Sequence, residues 1–460
     1  MATEWTGRRV VILGLARQGK ALARYLVERG AQVTVSDIKV PEALVAEREE
    51  LGDLPLRYVL GGHPPELLDG ADLVCLSGGV SADLPLAHQA RQRGIALSND
   101  SQIFLEACPA PSIGITGSAG KTTTTALVGR MAEAHLAGSG RRAWVGGNIG
   151  RPLLAELGSM RAEDRVVLEL SSFQLELMTV STTVAAVLNL TPNHLDRHRT
   201  MEAYAAAKVR ILDYQDGAGL AVLGRDDPRS WALRERVRGR LMSFGLGPVK
   251  AGEGTGVSEG QITLRIANRE TAILAASEVE LRGEHNLLNV AAACAIAAAA
   301  GFSTESMRSG IRGFRGVAHR LEFVRRVRGA DWYNDSIATA PERAIAAIRS
   351  FAEPLVLLAG GRDKDLPWQA FAELATRRVR ALILFGEAAP KIARAVEAVG
   401  SRGAEFEMQV YPNLQTAVEA AAAVARPGDV VLLAPGGTSF DEFVDFAARG
   451  ERFRALVEAL

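Results

Sequence analysis

Cysteine is scarce in this 460-residue chain: Cys75, Cys108 and Cys294 stand far apart and form no CxxC pair. So sparse and odd a set excludes a disulfide framework and a cysteine-built zinc site, and it fits a reducing compartment. A surplus of one charge is also lacking. Lys plus Arg and Asp plus Glu number 53 each, whereas a nucleic-acid coat or a membrane-surface protein needs excess positive charge. The longest near-apolar stretch, Val290 to Phe302, is alanine-rich and too short to span a bilayer. Residues Met1–Arg9 lead straight into an apolar strand with no signal-peptide core. The expectation is therefore a cytoplasmic protein with no nucleic-acid or membrane partner. Low-complexity tracts and solenoid repeats are missing as well.

What is present is ample core. Hydrophobic residues make up 48% of the chain and charged ones 23%, and the length suggests roughly three domains. Short Val, Ile and Leu runs alternate with helix-period segments, the pattern of parallel α/β units whose ligands sit beyond the carboxyl ends of strands. Three blocks follow. Residues 1–108 open with strand Val10–Leu13. Residues 109–316 begin at the Pro109-Ala-Pro111 break with strand Ser112–Ile115 and end where glycines interrupt the pattern, near Gly313–Gly316. Residues 317–460 carry strands Pro354–Leu358, Ala381–Phe385 and Asp429–Leu433.

The strongest local signal is Ile113-Gly-Ile-Thr-Gly-Ser-Ala-Gly-Lys-Thr-Thr123. A strand feeds a glycine turn, and Lys121 and Thr122 open a helix. Backbone N–H groups there can cradle phosphates, Lys121 can reach β/γ oxygens, and Thr122 can hold Mg²⁺. Ile115 stands where the longer form of this loop has glycine, so the version is the short T-G-x-x-G-K-T. The N-terminal turn Gly14-Leu-Ala-Arg-Gln-Gly19 resembles a dinucleotide fingerprint with Ala16 in place of the middle glycine, and Asp37 ends the next strand, Gln32–Ser36. That turn fits a nucleotide diphosphate or simply tight packing. Val166-Val-Leu-Glu169 reads as a buried strand ending in an acid, and Glu169 could complete a magnesium site. Strand Val184–Leu190 is followed by His194, either a catalytic group or a surface histidine. Lys208, on a helical segment, reads by spacing alone as an ordinary solvated lysine.

Several runs together resemble the Mur ligase family. They are Gly-Ser-Ala-Gly-Lys-Thr-Thr (117–123), Val-Gly-Gly-Asn-Ile-Gly (145–150), Glu-Leu-Ser-Ser-Phe-Gln-Leu-Glu (169–176) and Leu-Asn-Leu-Thr-Pro-Asn-His-Leu-Asp-Arg-His (188–198). Gly-Glu-His-Asn-Leu-Leu-Asn (283–289), His319-Arg320, Asn-Asp-Ser (334–336) and Ala-Pro-Gly-Gly-Thr-Ser-Phe-Asp-Glu-Phe (434–443) continue the likeness in order along essentially the whole chain. The resemblance implies an N-terminal Rossmann-like UDP-binding domain, a central P-loop ATPase-type parallel sheet, and a C-terminal Rossmann-like domain that brings the amino acid. It implies an ATP-dependent amide ligase, acting as a monomer through an acyl phosphate. The Glu-Leu-Ser-Ser-Phe-Gln run points within the family to the ligation of glutamate, D in the usual enzyme, to UDP-N-acetylmuramoyl-L-alanine.

Site roles carried over by that resemblance are as follows. Lys121, His194 and Lys208 are catalytic, Lys208 as a carbamate. Thr122 and Glu169 face one Mg²⁺ and His194 and Lys208 a second. ATP is held by Gly117, Ser118, Ala119, Gly120, Lys121, Thr122 and Thr123, with Asn286, Asn289, Arg320 and Asp335. The UDP-sugar substrate is held by Gly14, Arg17, Gln18, Asp37, Ser77 and Gly78, then Asn148, Ser171, Gln174 and His194. Thr339, Lys364, Ser439 and Phe446 form the glutamate pocket. One departure stands out: many relatives read Asn-Asp-Ser-Lys-Ala-Thr-Asn, where this chain has Asn334-Asp-Ser-Ile-Ala-Thr-Ala340. With Ile337 and Ala340 in those places, the amino-acid side of the site must be built differently.

Overall fold

The computed structural model describes residues 5–150, 152–399 and 406–460. Its strands gather into three sheets. In the first, β1 (Arg9–Leu13), β2 (Gln32–Asp37), β3 (Leu56–Leu60), β4 (Leu73–Leu76) and β5 (Ala96–Ser98) run in the order β3-β2-β1-β4-β5, all parallel. The order reverses between β1 and β4, and the crevice at such a switch point is where open α/β sheets bind ligands.

The second sheet has nine strands. These are β6 (Ser112–Thr116), β7 (Ala143–Gly147), β8 (Arg165–Glu169), β9 (Val184–Val187), β10 (Leu220–Gly224), β11 (Arg240–Phe244), β12 (Glu253–Ser258), β13 (Gln261–Ile266) and β14 (Arg269–Ala275). The order is β14-β13-β12-β11-β10-β9-β6-β8-β7. Strand β6 lies between β8 and β9 and is buried throughout, as expected of a parallel strand covered on both faces. The antiparallel extension β12–β14 was not anticipated; its exposed face and turns carry mixed polar residues that lack the βα pattern. Helices Lys121–Leu136 and Glu284–Ala299 pack together beside this sheet. The apolar run at Val290–Phe302 thus begins in a helix that is buried on all sides from Val290 to Ala297, its alanines allowing close approach. Among the described residues no helix is long and apolar enough to cross a membrane.

One hydrophobic cluster takes Leu22 and Leu26 from beside the first sheet together with Leu153, Leu154 and Met160 from beside the second. Both sheets accordingly fall in one compact unit, Met1–Phe314. The other unit, Arg315–Leu460, holds β15 (Glu322–Val327), β16 (Ala330–Asn334), β17 (Leu355–Gly360), β18 (Val379–Phe385), β19 (Glu407–Tyr411) and β20 (Val430–Gly436) in the order β15-β16-β20-β17-β18-β19. Among the described residues only the edge strand β15 is antiparallel there. The architecture is three α/β domains with parallel-rich sheets.

Candidate active site

The phosphate loop leaves β6 where Gly117 takes φ +153° and Gly120 takes φ +83°. A Cβ at Gly120 would meet Asn289 Oδ1 at 2.3 Å, and one at Gly117 would meet Leu188 Cβ at 2.9 Å. Gly120 is therefore required by its left-handed conformation, and Gly117 by conformation and crowding together. Asn189, just past β9, fixes the loop: its Oδ1 accepts from Ser118 N (3.1 Å) and Ala119 N (2.8 Å), and its Nδ2 donates to Ala119 O. Ser118 Oγ donates to Thr191 O and accepts from Tyr204 OH. Lys121 Nζ folds back onto the carbonyls of Gly117 (2.8 Å) and Ser118 (3.2 Å). The side chains of Asn286 and Asn289 bond each other at 3.1 Å on the neighbouring helix.

Beside this loop lie two buried charges. Glu169, at the end of β8, is 2% exposed. Its Oε1 accepts from Asn148 Nδ2 at 2.8 Å, while Oε2 is buried without a hydrogen-bond partner. An orphaned carboxylate oxygen is costly unless something else meets it. Lys208 is 1% exposed, because the helix Met201–Asp213 turns it inward under Tyr204, whose ring centroid is 4.9 Å from Nζ. Among the described residues its one hydrogen bond is to Thr116 Oγ1, 3.1 Å. Burial, and then the charge of Lys121, push its pKa well below the ordinary lysine value, with Glu169 opposing. The solvated-lysine reading of this residue is thereby overturned.

His194 sits at φ +52°, its ring edge-on to Phe173 with centroids 5.2 Å apart. Phe173 stacks on His198 at 5.1 Å, and His198 Nε2 lies 2.9 Å from Ser172 Oγ. Burial lowers the His198 pKa, with His194 and Lys208 adding to the effect. Ser171 caps its short helix through Gln174, and Gln174 reaches Ser101 Oγ at 2.8 Å. That bond and Asn99 Nδ2 to Gln174 O stitch the second sheet to the first.

At the switch point of the first sheet, Gly14, Asp37 and Ser77 line a cavity of about 500 Å³ together with His63, Ser81 and Arg197. Asp37 Oδ2 accepts from Leu15 N and Oδ1 from Lys39 N, so it shapes the turn as well as facing the cavity. Ser77 Oγ is buried there without a partner. Gln18 accepts from Gly78 N at 3.0 Å, tying the helix start at Arg17 to that wall. Ser81 and Arg197 also line a second cavity, of about 390 Å³, with Phe173, Glu176 and His198. The two cavities thus adjoin at Ser81 and Arg197.

The C-terminal unit collects its own group. Asp335, at the end of β16, accepts from Leu321 N and is pushed up to about 6 by burial, against Arg320 and Arg343. Thr339 is half-buried, Lys364 and Phe446 are exposed, and Ser439 is 2% exposed. Arg449, 1% exposed, donates to Ser336 Oγ and O and to the carbonyls of Gly437 and Thr438. Asn189, Tyr204, Thr116 and Arg449 were not foreseen as site residues. Asn189 lay within a motif already noted, but the partners of the others come from distant segments.

Family comparison matches this geometry. The chain fits the MurD-like N-terminal domain over residues 8–99, the Mur ligase middle domain over 115–297 and the Mur glutamate ligase domain over 319–437. It belongs to the Mur ligase family. A UDP-N-acetylmuramoylalanine–D-glutamate ligase of Symbiobacterium thermophilum is 42% identical over 453 residues, 98% of each chain. One of the same name from Pelotomaculum thermopropionicum is 38% identical over 462 residues, covering 100% of this chain and 99% of its own. The MurF ligase of Thermotoga maritima, solved with ADP, shares the fold at TM-score 0.53 and 18% identity over the full length of both chains.

Proposed function

We propose that this protein is an ATP-dependent ligase that joins D-glutamate to UDP-N-acetylmuramoyl-L-alanine, releasing ADP and phosphate in the cytoplasmic synthesis of peptidoglycan precursors. The observation that carries the chemistry is the meeting of a phosphate loop, an orphaned Glu169 oxygen and a buried Lys208 at the ends of β6 and β8. The choice of glutamate rests on the full-length relatives.

The reaction brings a carboxylate against a γ-phosphate, anion against anion, so the site must supply positive charge. Lys121 and the amides at the start of its helix are assigned to the phosphates. Thr122 and Glu169 Oε2 fit Mg²⁺, which takes few protein oxygens and draws the rest from phosphate and water. An ion held by those two residues would supply positive charge to the phosphates. Lys208, whose pKa burial lowers, is an amine that could combine with CO₂, giving a carbamate and releasing a proton. The resulting anion would face a second Mg²⁺ beside His194. The cavity lined by Gly14, Asp37 and Ser77 is assigned to the UDP portion. Asn148, Ser171 and Gln174 are assigned to the muramoyl-alanine arm. Activation of the alanine carboxylate as an acyl phosphate is followed by attack of the glutamate amine and loss of phosphate.

The test is an amino-acid panel with Mg-ATP and UDP-N-acetylmuramoyl-L-alanine, reading phosphate release and product mass for D-Glu, L-Glu, L-Ala and meso-diaminopimelate. A product heavier by one glutamate, formed with D-Glu, is expected. Preference for L-Glu would overturn the stereochemistry, and absence of product with every amino acid would overturn the ligase itself. Phosphate release should also require both acceptor and amino acid.

A further inference from the structure

The cavity assigned to the UDP portion changes character along the first sheet. It is walled by Asp37 at the end of β2, by Gly14, Leu15 and Ala16 past β1, and by Ser77 and Ser81 past β4. The middle wall opens helix Arg17–Glu28, whose N-cap Ala16 makes no capping bond and whose first turn carries no acid. A helix start in that state favours an anion. Ser77, 2% exposed, adds a hydroxyl without a partner. A diphosphate carries full charge, however, and calls for a cation as well.

Lys39 and Arg197 line the cavity, whereas Arg17, the arginine expected to hold the substrate, does not. Lys39 donates its backbone N–H to Asp37, which keeps it at the β2 end. Arg197 comes from the segment after β9 of the second sheet, and with Ser81 it also lines the adjoining cavity of about 390 Å³. It therefore stands at the β4 end, where the two cavities meet. Its guanidinium Cζ lies 4.6 Å from the centroid of the Phe173 ring. Among the described residues no carboxylate or carbonyl pairs with that guanidinium. Glu176, which shares the second cavity with it, is pushed up to about 7 by burial and by Asp83, so near neutrality it is a weak counterion. A guanidinium resting its face on a ring keeps its N–H edge for an anion.

We propose that Arg197 is a further substrate-binding residue, reaching from the second domain to grip the diphosphate of the UDP-sugar together with the start of helix Arg17–Glu28. The assignment rests on the ligase reading above. Arginine suits the task because its planar fork matches phosphate oxygens through paired N–H donors, where a lysine offers a point charge. The rival role is purely structural, a brace for Phe173. A brace would affect every ligand of the cavity alike, whereas a phosphate grip affects only those that carry phosphate.

The experiment measures dissociation constants of UDP and of uridine by NMR titration of the full-length protein and of Arg197→Met and Arg197→Lys. Loss of a charge-assisted grip should weaken UDP about 10- to 100-fold in Arg197→Met. Uridine should change by less than about 3-fold, and UDP affinity in Arg197→Lys should fall between wild type and Arg197→Met. Melting curves check folding. Should Arg197→Met not fold, the ratio of UDP to uridine affinity in Arg197→Lys carries the test by itself. Unchanged UDP affinity would overturn the proposal, and so would equal weakening of UDP and uridine. Failure of the underlying reading appears separately, as a wild-type protein that binds no UDP and makes no glutamate adduct.

Discussion

Lys208 and Arg449 are both 1% exposed cations, yet their surroundings differ in kind. Arg449 spends its donors on Ser336, Gly437 and Thr438, and although burial presses its pKa down to about 10 it stays charged near neutrality. Lys208 has the Thr116 hydroxyl, an aromatic face and a second lysine nearby. A buried cation with a complete set of acceptors becomes scaffold, holding two loops of the C-terminal unit in register. One with an incomplete set is left chemically available. Burial alone therefore says little about role; the hydrogen-bond inventory separates the two.

The largest expected effect comes from testing availability directly. Lys208→Ala should lower kcat by about 1000-fold or more, the scale of losing a transition-state charge partner. If the lysine works as a carbamate, added formate or acetate should restore part of that activity by supplying the missing anion. Full activity in the variant would break the comparison at its reactive end. At the scaffold end, Arg449→Met should destabilise the protein by about 3–5 kcal/mol, because acceptors that served one buried charge are left unpaired. Denaturant melts measure this. A stability loss under about 1 kcal/mol would mean that the carbonyls of Gly437 and Thr438 do not depend on the guanidinium.

Much of this was legible in sequence because it was local. The phosphate loop is contiguous, and Glu169 closes an apolar strand, so each announced itself. The β9 strand, expected to run to Leu190, ends at Val187, since Asn189 and Thr191 turn aside to hold Ser118. Lys208 could not be read from spacing, because what buries it comes from Thr116 and from Tyr204 one helical turn earlier. Arg449 was illegible for the same reason: its acceptors lie at 336, 437 and 438.

Glu169→Gln sharpens the comparison from the acidic side. The amide keeps the contact with Asn148 but replaces an orphaned anionic oxygen with a neutral group, so affinity for Mg²⁺ should fall. A drop of about 100-fold in kcat/KM, with a rise in the Mg²⁺ concentration for half-maximal rate, is the expected result, consistent with losing one charged contact of a few kcal/mol. Unchanged Mg²⁺ dependence would return Glu169 to a structural role.

Asp100 provides the smallest and most discriminating case, since it too has an incomplete set yet lies on the seam between the first two sheets. Its Oδ1 is buried without a partner, and burial raises its pKa to about 6 from 3.8. The folded state thus holds the proton more tightly than the unfolded chain. Between about pH 4 and 6 the unfolded state ionises first, so stability falls as pH rises through that window and the cost is constant above it. The shift corresponds to a cost on the order of 1–3 kcal/mol at neutral pH. Asp100→Asn cannot ionise and should lose that slope. Melting temperatures of the two proteins, taken every half unit from pH 4.5 to 7.5, should diverge up to about pH 6 in favour of the variant and then run parallel. Curves parallel throughout would mean that the carboxyl is satisfied in both states and that an unpaired atom at this seam carries no penalty. With divergence and unimpaired catalysis, an incomplete inventory by itself would mark a stability cost and not reactivity.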